Sequence, residues 1–181
     1  LELLDQRLLN TPSVAIEQCR RLTVDMANLA QQAFLLADGL LDQYDAKAAT
    51  EVEEIEQTVD RYEDRLGAYL LQVSALHLSE YESKEVSKLL YGIGDFERIS
   101  DHAVNLTEVA QELHTKNIGF SPEAQVETST MRAAVKEIMA LTVKVFDTNN
   151  QELARKVEPL EEVVDVLRET IKANHIERLR T

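Results

Sequence analysis

The sequence concentrates ionisable side chains in one short segment, "GDFERISDHAVNL" (Gly94–Leu106). Four of its residues could do chemistry: Asp95, Glu97, Asp101 and His102. Carboxylate oxygens are preferred ligands of Mg²⁺, Ca²⁺ and Mn²⁺, and an imidazole nitrogen would extend the range to iron or zinc. On a solvated face the same side chains need no function, because exposed Glu and Asp are the default. The choice depends on which side of a helix they occupy.

The segment predicts a bundle helix with its acids on the outside. Glu97 and Asp101 lie one turn apart and project about 160° from the middle of the apolar stripe. Such like-charge pairs cost a few tenths of a kcal/mol each, and a cation would relieve the repulsion. The stripe follows helical spacing typical of a bundle core and contains Phe96, Ile99, Ala103, Leu106, Ala110 and Leu113.

A second carboxylate row lies on the preceding predicted helix. This helix has its own apolar stripe, and one flank carries Glu53, Glu56, Asp60 and Asp64. We predict that the two helices pack antiparallel, with Glu56 and Asp60 facing Glu97 and Asp101. Four such carboxylates would form an oxygen-rich cation site on the outside of the bundle.

Other kinds of site are excluded by their missing motifs. The sequence has no Walker loop, Rossmann glycine pattern, G-x-S-x-G or HExxH. The Glu-x-x-His motif of ferritin-like di-iron bundles is also absent, because no histidine has a glutamate three residues before it. Cys19 follows an apolar helical stretch, which favours a packing role over a nucleophilic one. We therefore expect no enzymatic activity.

Composition restricts the partners. The 181 residues include 33 acidic and 19 basic side chains, for a net charge of −14. This charge disfavours nucleic acid and anionic membrane surfaces and suits cations or a basic partner. The single cysteine rules out an internal disulfide and favours a reducing compartment. No apolar run approaches the roughly 20 residues of a membrane helix, and no signal peptide opens the chain, so we expect a cytoplasmic polypeptide without membrane insertion.

The pattern of start and stop signals predicts an all-α protein with five helices. Thr11-Pro12 and Ser121-Pro122 each combine an N-cap with proline at the first helical position. The predicted helices run from Pro12 to about Tyr44, from Asp45 to about Leu76, from the Ser79/Glu82 capping box to about Asn117, from Pro122 to Asn149, and from Asn150 to the chain end. Pro159 should kink the last helix or delay its regular start.

An internal repeat divides the chain. "VEEIEQTVDRYEDRL" (52–66) aligns without a gap on "VEPLEEVVDVLRETI" (157–171), at an offset of 105 residues, and the acids recur along with the apolar positions. Glu161 and Asp165 are thereby the counterparts of Glu56 and Asp60. We predict two related half-domains, residues 1–118 and 119–181.

The second half-domain lacks a counterpart of the third helix. By the offset, the equivalents of Glu97 and Asp101 would fall beyond Thr181. We expect either that this half is truncated or that a partner supplies the helix, and a homodimer is one such arrangement. Part of the last helix's apolar stripe should then be under-covered, at Leu160, Val164, Leu167 and Ile171.

The opening segment resembles the signature of PhoU-domain proteins. In that family a helix bearing E-R-I-x-D packs beside one bearing E-x-x-x-D, which is Glu56–Asp60 here. The resemblance implies a PhoU-like fold of two similar three-helix bundles. The first residues, "LDQRLLNTPSVAIEQCRRLTVDMA" (4–27), are similar to the segment that opens the cytoplasmic PhoU-like domain of bacterial Na⁺/phosphate cotransporters.

The resemblance also implies metal ligands and a function. The ion would be Mg, Mn, Fe or Zn, and a solvated acidic face stays open as the alternative. The implied function is non-catalytic regulation of Na⁺-dependent phosphate transport, with the transporter's membrane domain in the same polypeptide as partner. Alternatives are a free-standing regulator of phosphate uptake acting on a phosphate-signalling protein and, with less support, a metal-dependent hydrolase. The implied ligands are Glu56, Asp60, Asp95, Glu97 and Asp101 in the first half, and Glu161 and Asp165 in the second.

Overall fold

The computed structural model describes residues 4–180, and that part of the chain contains helices and turns but no strand. This confirms the predicted all-α class. None of its helices combines the length and apolar composition needed to cross a lipid bilayer. A short 3-10 helix (Gln6–Asn10) precedes α1 (Pro12–Leu40), α2 (Ala46–Ser74), α3 (Glu80–Lys116), α4 (Pro122–Thr148), α5 (Gln151–Ala154) and α6 (Val157–Arg178).

Most helix starts follow from the local sequence. The Ser79/Glu82 capping box is formed as predicted. The Ser79 amide donates to the Glu82 carboxylate at 2.8 Å, and the Glu82 amide donates to the Ser79 hydroxyl at 3.2 Å. Asp45 caps α2 by accepting from the Lys47 amide at 2.7 Å. Ser121 caps α4, with Pro122 at its first position.

The start of α1 lies where it was predicted, with Thr11 as the N-cap residue and Pro12 in the first turn. The Thr11 side chain makes no cap hydrogen bond, however, and its backbone joins two helices. Its N–H closes the 3-10 helix on the Leu8 carbonyl at 2.8 Å, while its own carbonyl accepts from Val14 at 3.0 Å. The helix also ends at Leu40 rather than near Tyr44, because the following amides donate to carbonyls three residues back and tighten the chain into a turn.

The predicted fifth helix is interrupted at its start. Asn149 has left-handed backbone angles (φ 50°) and ends α4, and Asn150 caps the single turn of α5. Regular helix resumes only at Val157, so that Pro159 falls in the first turn of α6, where a proline is tolerated. Pro159 therefore accompanies a delayed start, as predicted.

The chain forms two compact units, Leu1–Gln111 and Glu112–Thr181. In the first unit α1 packs along α2, and the three long helices share a core. Leu40, Ala49 and Ala110, one from each helix, form a buried cluster. The largest fully buried side chains of the first unit include Met26, Leu66, Leu70 and Leu89.

The second unit has a much thinner core. Its helix α4 packs on α6, with α5 at one end. Val143 is the single buried residue described in α4, α5 and α6. The four stripe residues Leu160, Val164, Leu167 and Ile171 are only partly buried, which confirms the predicted under-covered face.

An ion pair with two hydrogen bonds supplements this thin core. The Arg178 guanidinium donates to both carboxylate oxygens of Glu127, at 3.0 and 2.8 Å. The Asn174 amide donates to the same carboxylate at 2.8 Å. Both charged side chains are largely shielded, with 30% of Arg178 and 17% of Glu127 exposed. This fork fixes the start of α4 against the end of α6.

Candidate functional site

The α2 and α3 helices lie side by side. A Cβ atom added to Gly67 of α2 would lie 3.6 Å from Cδ1 of Ile93, and one added to Gly94 of α3 would lie 3.8 Å from Oε1 of Glu63. Further along, the charge of Asp101 acts on Glu56. Residue numbers therefore fall along α3 as they rise along α2. The predicted antiparallel packing is present.

This packing brings together five carboxylates, which we call the acidic cluster. Glu56, Asp60 and Glu63 come from α2, and Glu97 and Asp101 come from α3. Four of the five were predicted to meet. Each of the two helices contributes side chains spaced three or four residues apart, which keeps them on one face.

Glu63 is the member that sequence reasoning missed. The predicted α2 row continued from Asp60 to Asp64, but the side chain that reaches α3 is Glu63, opposite Gly94. A signal was available, because Glu63 is three residues after Asp60 and seven after Glu56 and so shares their face. A glycine on the facing helix marks where such a side chain can approach.

Burial and the other members of the acidic cluster raise the pKa of Glu97. Burial raises its pKa first, followed by the negative charges of Asp101 and Glu63. A hydrogen bond from the protonated Glu97 carboxyl to Asp101 raises the pKa further. Glu97 thus holds its proton more readily than an isolated glutamate does when no cation is present.

Two glutamates on α2 respond in the same direction. Burial raises the pKa of Glu56, and the charges of Asp101, Asp60 and Glu53 add to it. Burial also raises the pKa of Glu63, with further contributions from Asp60, Asp64 and Asp101. Every charge acting on these groups is negative. The cluster is therefore a local concentration of negative potential, which attracts cations and protons.

The remaining predicted ligands lie elsewhere. Asp95 is exposed on α3, and its charge is not among those that shift the pKa values of Glu56, Glu63 or Glu97. Glu161 and Asp165 are exposed on α6, and Asp165 is ion-paired with Arg168 at 3.2 Å. His102 is exposed next to Asp101. The structure thus assembles the first-half acids other than Asp95.

The acidic cluster fits a hard cation in chemistry and charge but not as a preformed cage. All its donors are carboxylate oxygens, as Mg²⁺ and Mn²⁺ prefer. However, within residues 4–180 no three His, Cys, Asp or Glu side chains converge in an arrangement that could hold one metal ion. Coordination would require side-chain rotation toward a common point, and without an ion the cluster is part of a solvated acidic face.

A comparison with protein families finds one match, which lies within the first unit. Residues 23–110 match the PhoU domain. The matched segment runs from α1 through most of α3 and contains the whole acidic cluster, so the PhoU resemblance is confirmed for this part of the chain. No curated protein and no solved structure matches the chain. The match therefore covers both helices that carry the acidic cluster.

Proposed function

We propose that this chain is a non-catalytic regulatory module of phosphate homeostasis that responds to a bound cation. One observation carries the proposal: the segment that matches the PhoU domain is the one in which α2 and α3 bring five carboxylates together. PhoU domains are generally regulatory rather than enzymatic. A site made only of carboxylates suits ion binding better than a reaction that needs a nucleophile.

The proposed signal is a change in the repulsion between α2 and α3. Without a cation, the raised pKa values of Glu56, Glu63 and Glu97 show that their charged forms are disfavoured in the fold. A divalent cation would compensate these charges and stabilise the contact between the two helices. Because ligand binding stabilises the form that binds it, ion occupancy would be linked to the packing of the first unit.

We also propose a partner for this regulatory module. The similarity of residues 4–27 to the segment that opens cotransporter PhoU-like domains supports a role beside the membrane domain of a Na⁺/phosphate cotransporter, in the same polypeptide and on the cytoplasmic side. The alternative is a free-standing regulator of phosphate uptake. The gene upstream of Leu1 separates the two, because a transporter would show several hydrophobic segments of about 20 residues there.

The function is tested by phosphate uptake in cells. Uptake of radiolabelled phosphate is measured at low and high external phosphate in cells that carry the intact gene, a deletion of the region encoding this chain, or the double substitution Asp60→Asn/Glu97→Gln. We expect the intact gene to adjust uptake to external phosphate, the deletion to lose this adjustment, and the double substitution to weaken it. Uptake that is unaffected by the deletion would refute the regulatory role, whereas an effect of the deletion alone would separate regulation from the acidic cluster.

A further inference from the structure

A groove of about 570 Å³ opens in the second unit, between the end of α4 and the start of α6. Its apolar surface is formed by Ala140 and Leu141 of α4 and by Pro159 and Leu160 of α6. The volume lies within the range of roughly 300–1,000 Å³ that is usual for small-molecule sites. The groove is thus large enough for an organic ligand and offers that ligand an apolar wall.

Three cations line the same groove: Lys144, Arg155 and Lys156. The ammonium groups of Lys144 and Lys156 make no ion pair with any residue of 4–180. Arg155 is 3.3 Å from Glu152, but both side chains are more than three-quarters exposed, so the pair is weak. Glu137 is the single acid of the lining. The groove is therefore locally positive in a chain whose net charge is −14.

The positive charge of the groove does not follow from the internal repeat, because the first-unit positions equivalent to Lys156 and Pro159 are acidic. Carried back along the chain, the offset of 105 residues places Lys156 on Glu51, and within the repeat it places Pro159 on Glu54. Glu51 and Glu54 are exposed acids near the start of α2. At equivalent positions the second unit has a cation and an apolar residue. The start of α6 thus differs in charge from the start of α2.

The backbone adds to the positive potential. Lys156 occupies the N-cap position of α6 and makes no side-chain cap hydrogen bond. The helix N-terminus carries a partial positive charge, which here is not offset by a capping oxygen from that residue. Glu158 in the first turn of α6 offsets part of this charge, but it does not line the groove. Within the groove, the helix N-terminus and the lysine at its start therefore favour a negative group.

We propose that this groove binds an amphiphilic organic anion. Lys144, Arg155 and Lys156 hold its carboxylate or phosphate headgroup, and its apolar body packs against Leu141 and Leu160. The cations alone would suit inorganic phosphate, and the apolar wall alone would suit a neutral ligand. The combination requires a molecule with both parts. This site is separate from the acidic cluster and does not depend on the proposed function.

The test measures binding to the whole purified chain by isothermal titration calorimetry. The probes are dodecanoate, dodecyl phosphate, the uncharged dodecanol and inorganic phosphate, each kept below any micelle concentration. We expect one saturable site for at least one of the two anionic amphiphiles, with affinity at least about tenfold above those of dodecanol and inorganic phosphate, equivalent to about 1.4 kcal/mol. The preferred headgroup then identifies the source as a fatty acid or a phosphate ester.

Matched variants locate the site. Lys144→Gln/Lys156→Gln should weaken binding about tenfold or more, since each substitution removes a charged contact. Lys172→Gln removes an exposed charge of α6 that does not line the groove and should leave affinity unchanged. Circular dichroism checks that both variants fold. The proposal is overturned if the double variant binds as tightly as wild type, if dodecanol or inorganic phosphate equals the best amphiphile, or if neither anionic amphiphile binds.

Discussion

Oε1 of Glu63 on α2 lies 3.8 Å from the position that a Cβ atom on Gly94 of α3 would occupy. This is an ordinary van der Waals distance, so an alanine at position 94 would fit beside the Glu63 carboxylate. Gly94 also lies within a regular helix, and no glycine of residues 4–180 has a positive φ angle. The glycine is thus tolerated here and not demanded by the backbone.

Gly94→Ala should therefore stabilise the first unit. Glycine inside a helix costs about 0.5–1 kcal/mol relative to alanine, because it loses more backbone freedom on folding. We expect the free energy of unfolding from urea denaturation to rise by an amount in that range. Gly39→Ala, where no atom lies within 4 Å of the added methyl group, is the matched control and should stabilise too, by less because it sits in the last turn of α1. A loss of stability in Gly94→Ala alone would mean that Glu63 cannot accommodate the methyl group.

The acidic cluster should make the protein more stable as the pH falls below neutrality. Glu56, Glu63 and Glu97 have pKa values raised above the ordinary 4.5, so the folded state binds protons more readily than the unfolded state. Their destabilising effect is present at pH 7, decreases as the pH falls through the raised values, and is gone below 4.5. Without added metal, we expect thermal stability to increase from pH 7 to roughly pH 5.

Glu97→Gln separates this effect from other titrations. The variant lacks one of the three groups, so at pH 7 it should be more stable than wild type, and its gain on acidification should be smaller. Below pH 4.5 both proteins should lose stability, because Glu17, Glu82 and Glu127 have lowered pKa values and their contribution disappears on protonation. Identical pH profiles for the two proteins would show that Glu97 does not interact with the cluster.

How much the sequence predicts depends on whether the signal is local. The capping box at Ser79 and Glu82 and the break at Asn149 involve a few neighbouring residues, and the structure contains them as predicted. The facing of Glu56 and Asp60 with Glu97 and Asp101 also follows from helical spacing, once antiparallel packing is assumed. The selection of Glu63 over Asp64 could not be predicted in that way, since it depends on the register in which α3 presents Gly94.

In the second unit, the sequence pattern predicts the exposed stripe but not the contacts between helices. The repeat predicts the partly buried stripe of α6, because equivalent positions need a third helix to cover them. Periodicity does not predict the fork of Glu127 and Arg178, which joins residues 51 positions apart and depends on how α4 meets α6. The cationic groove depends in the same way on the α5–α6 junction.

A divalent cation should stabilise the wild-type protein through the acidic cluster. At a hundredfold excess of Mg²⁺ or Mn²⁺ over Kd, binding adds about 2.7 kcal/mol to the free energy of unfolding. We expect a rise in melting temperature that saturates with ion concentration, and a smaller rise in Asp60→Asn and Asp101→Asn. Differential scanning calorimetry with and without chelator measures the shift.

Asp95→Asn is the matched control on the same helix. It removes one negative charge from α3 but, by the structure, none from the cluster. Its response to metal should equal that of wild type. If Asp95→Asn abolishes the metal shift, Asp95 is a ligand, and α3 must rearrange on binding to bring it to the ion. Equal shifts in melting temperature in wild type and all three variants would mean that these acids form a solvated surface and do not bind the ion.

Arg178→Lys should destabilise the second unit although the charge is retained. A lysine cannot donate two parallel hydrogen bonds to the Glu127 carboxylate as the guanidinium does. We expect faster hydrogen exchange of amides in α4 and α6, with little change in the first unit. Arg180→Lys is the control, because its contact with Glu177 is a single exposed one at 3.7 Å. Equal exchange rates in both variants would assign no special stability to the fork.

Cys19 should report the opening of the first unit. The side chain is fully buried on α1, and burial raises the pKa of its thiol to about 12, so the reactive thiolate is scarcely populated in the folded state. Iodoacetamide should therefore react only after local or global unfolding, at a rate that increases with urea in parallel with the loss of helical circular dichroism. Since Cys19 is the only cysteine, Cys19→Ser gives the unlabelled background.

The same labelling reaction can detect metal binding. If the acidic cluster binds Mg²⁺ and opening of the first unit disrupts the cluster, a hundredfold excess of Mg²⁺ over Kd should slow labelling by about a hundredfold in wild type, and much less in Asp101→Asn. Rapid labelling under native conditions would contradict the packing role of Cys19.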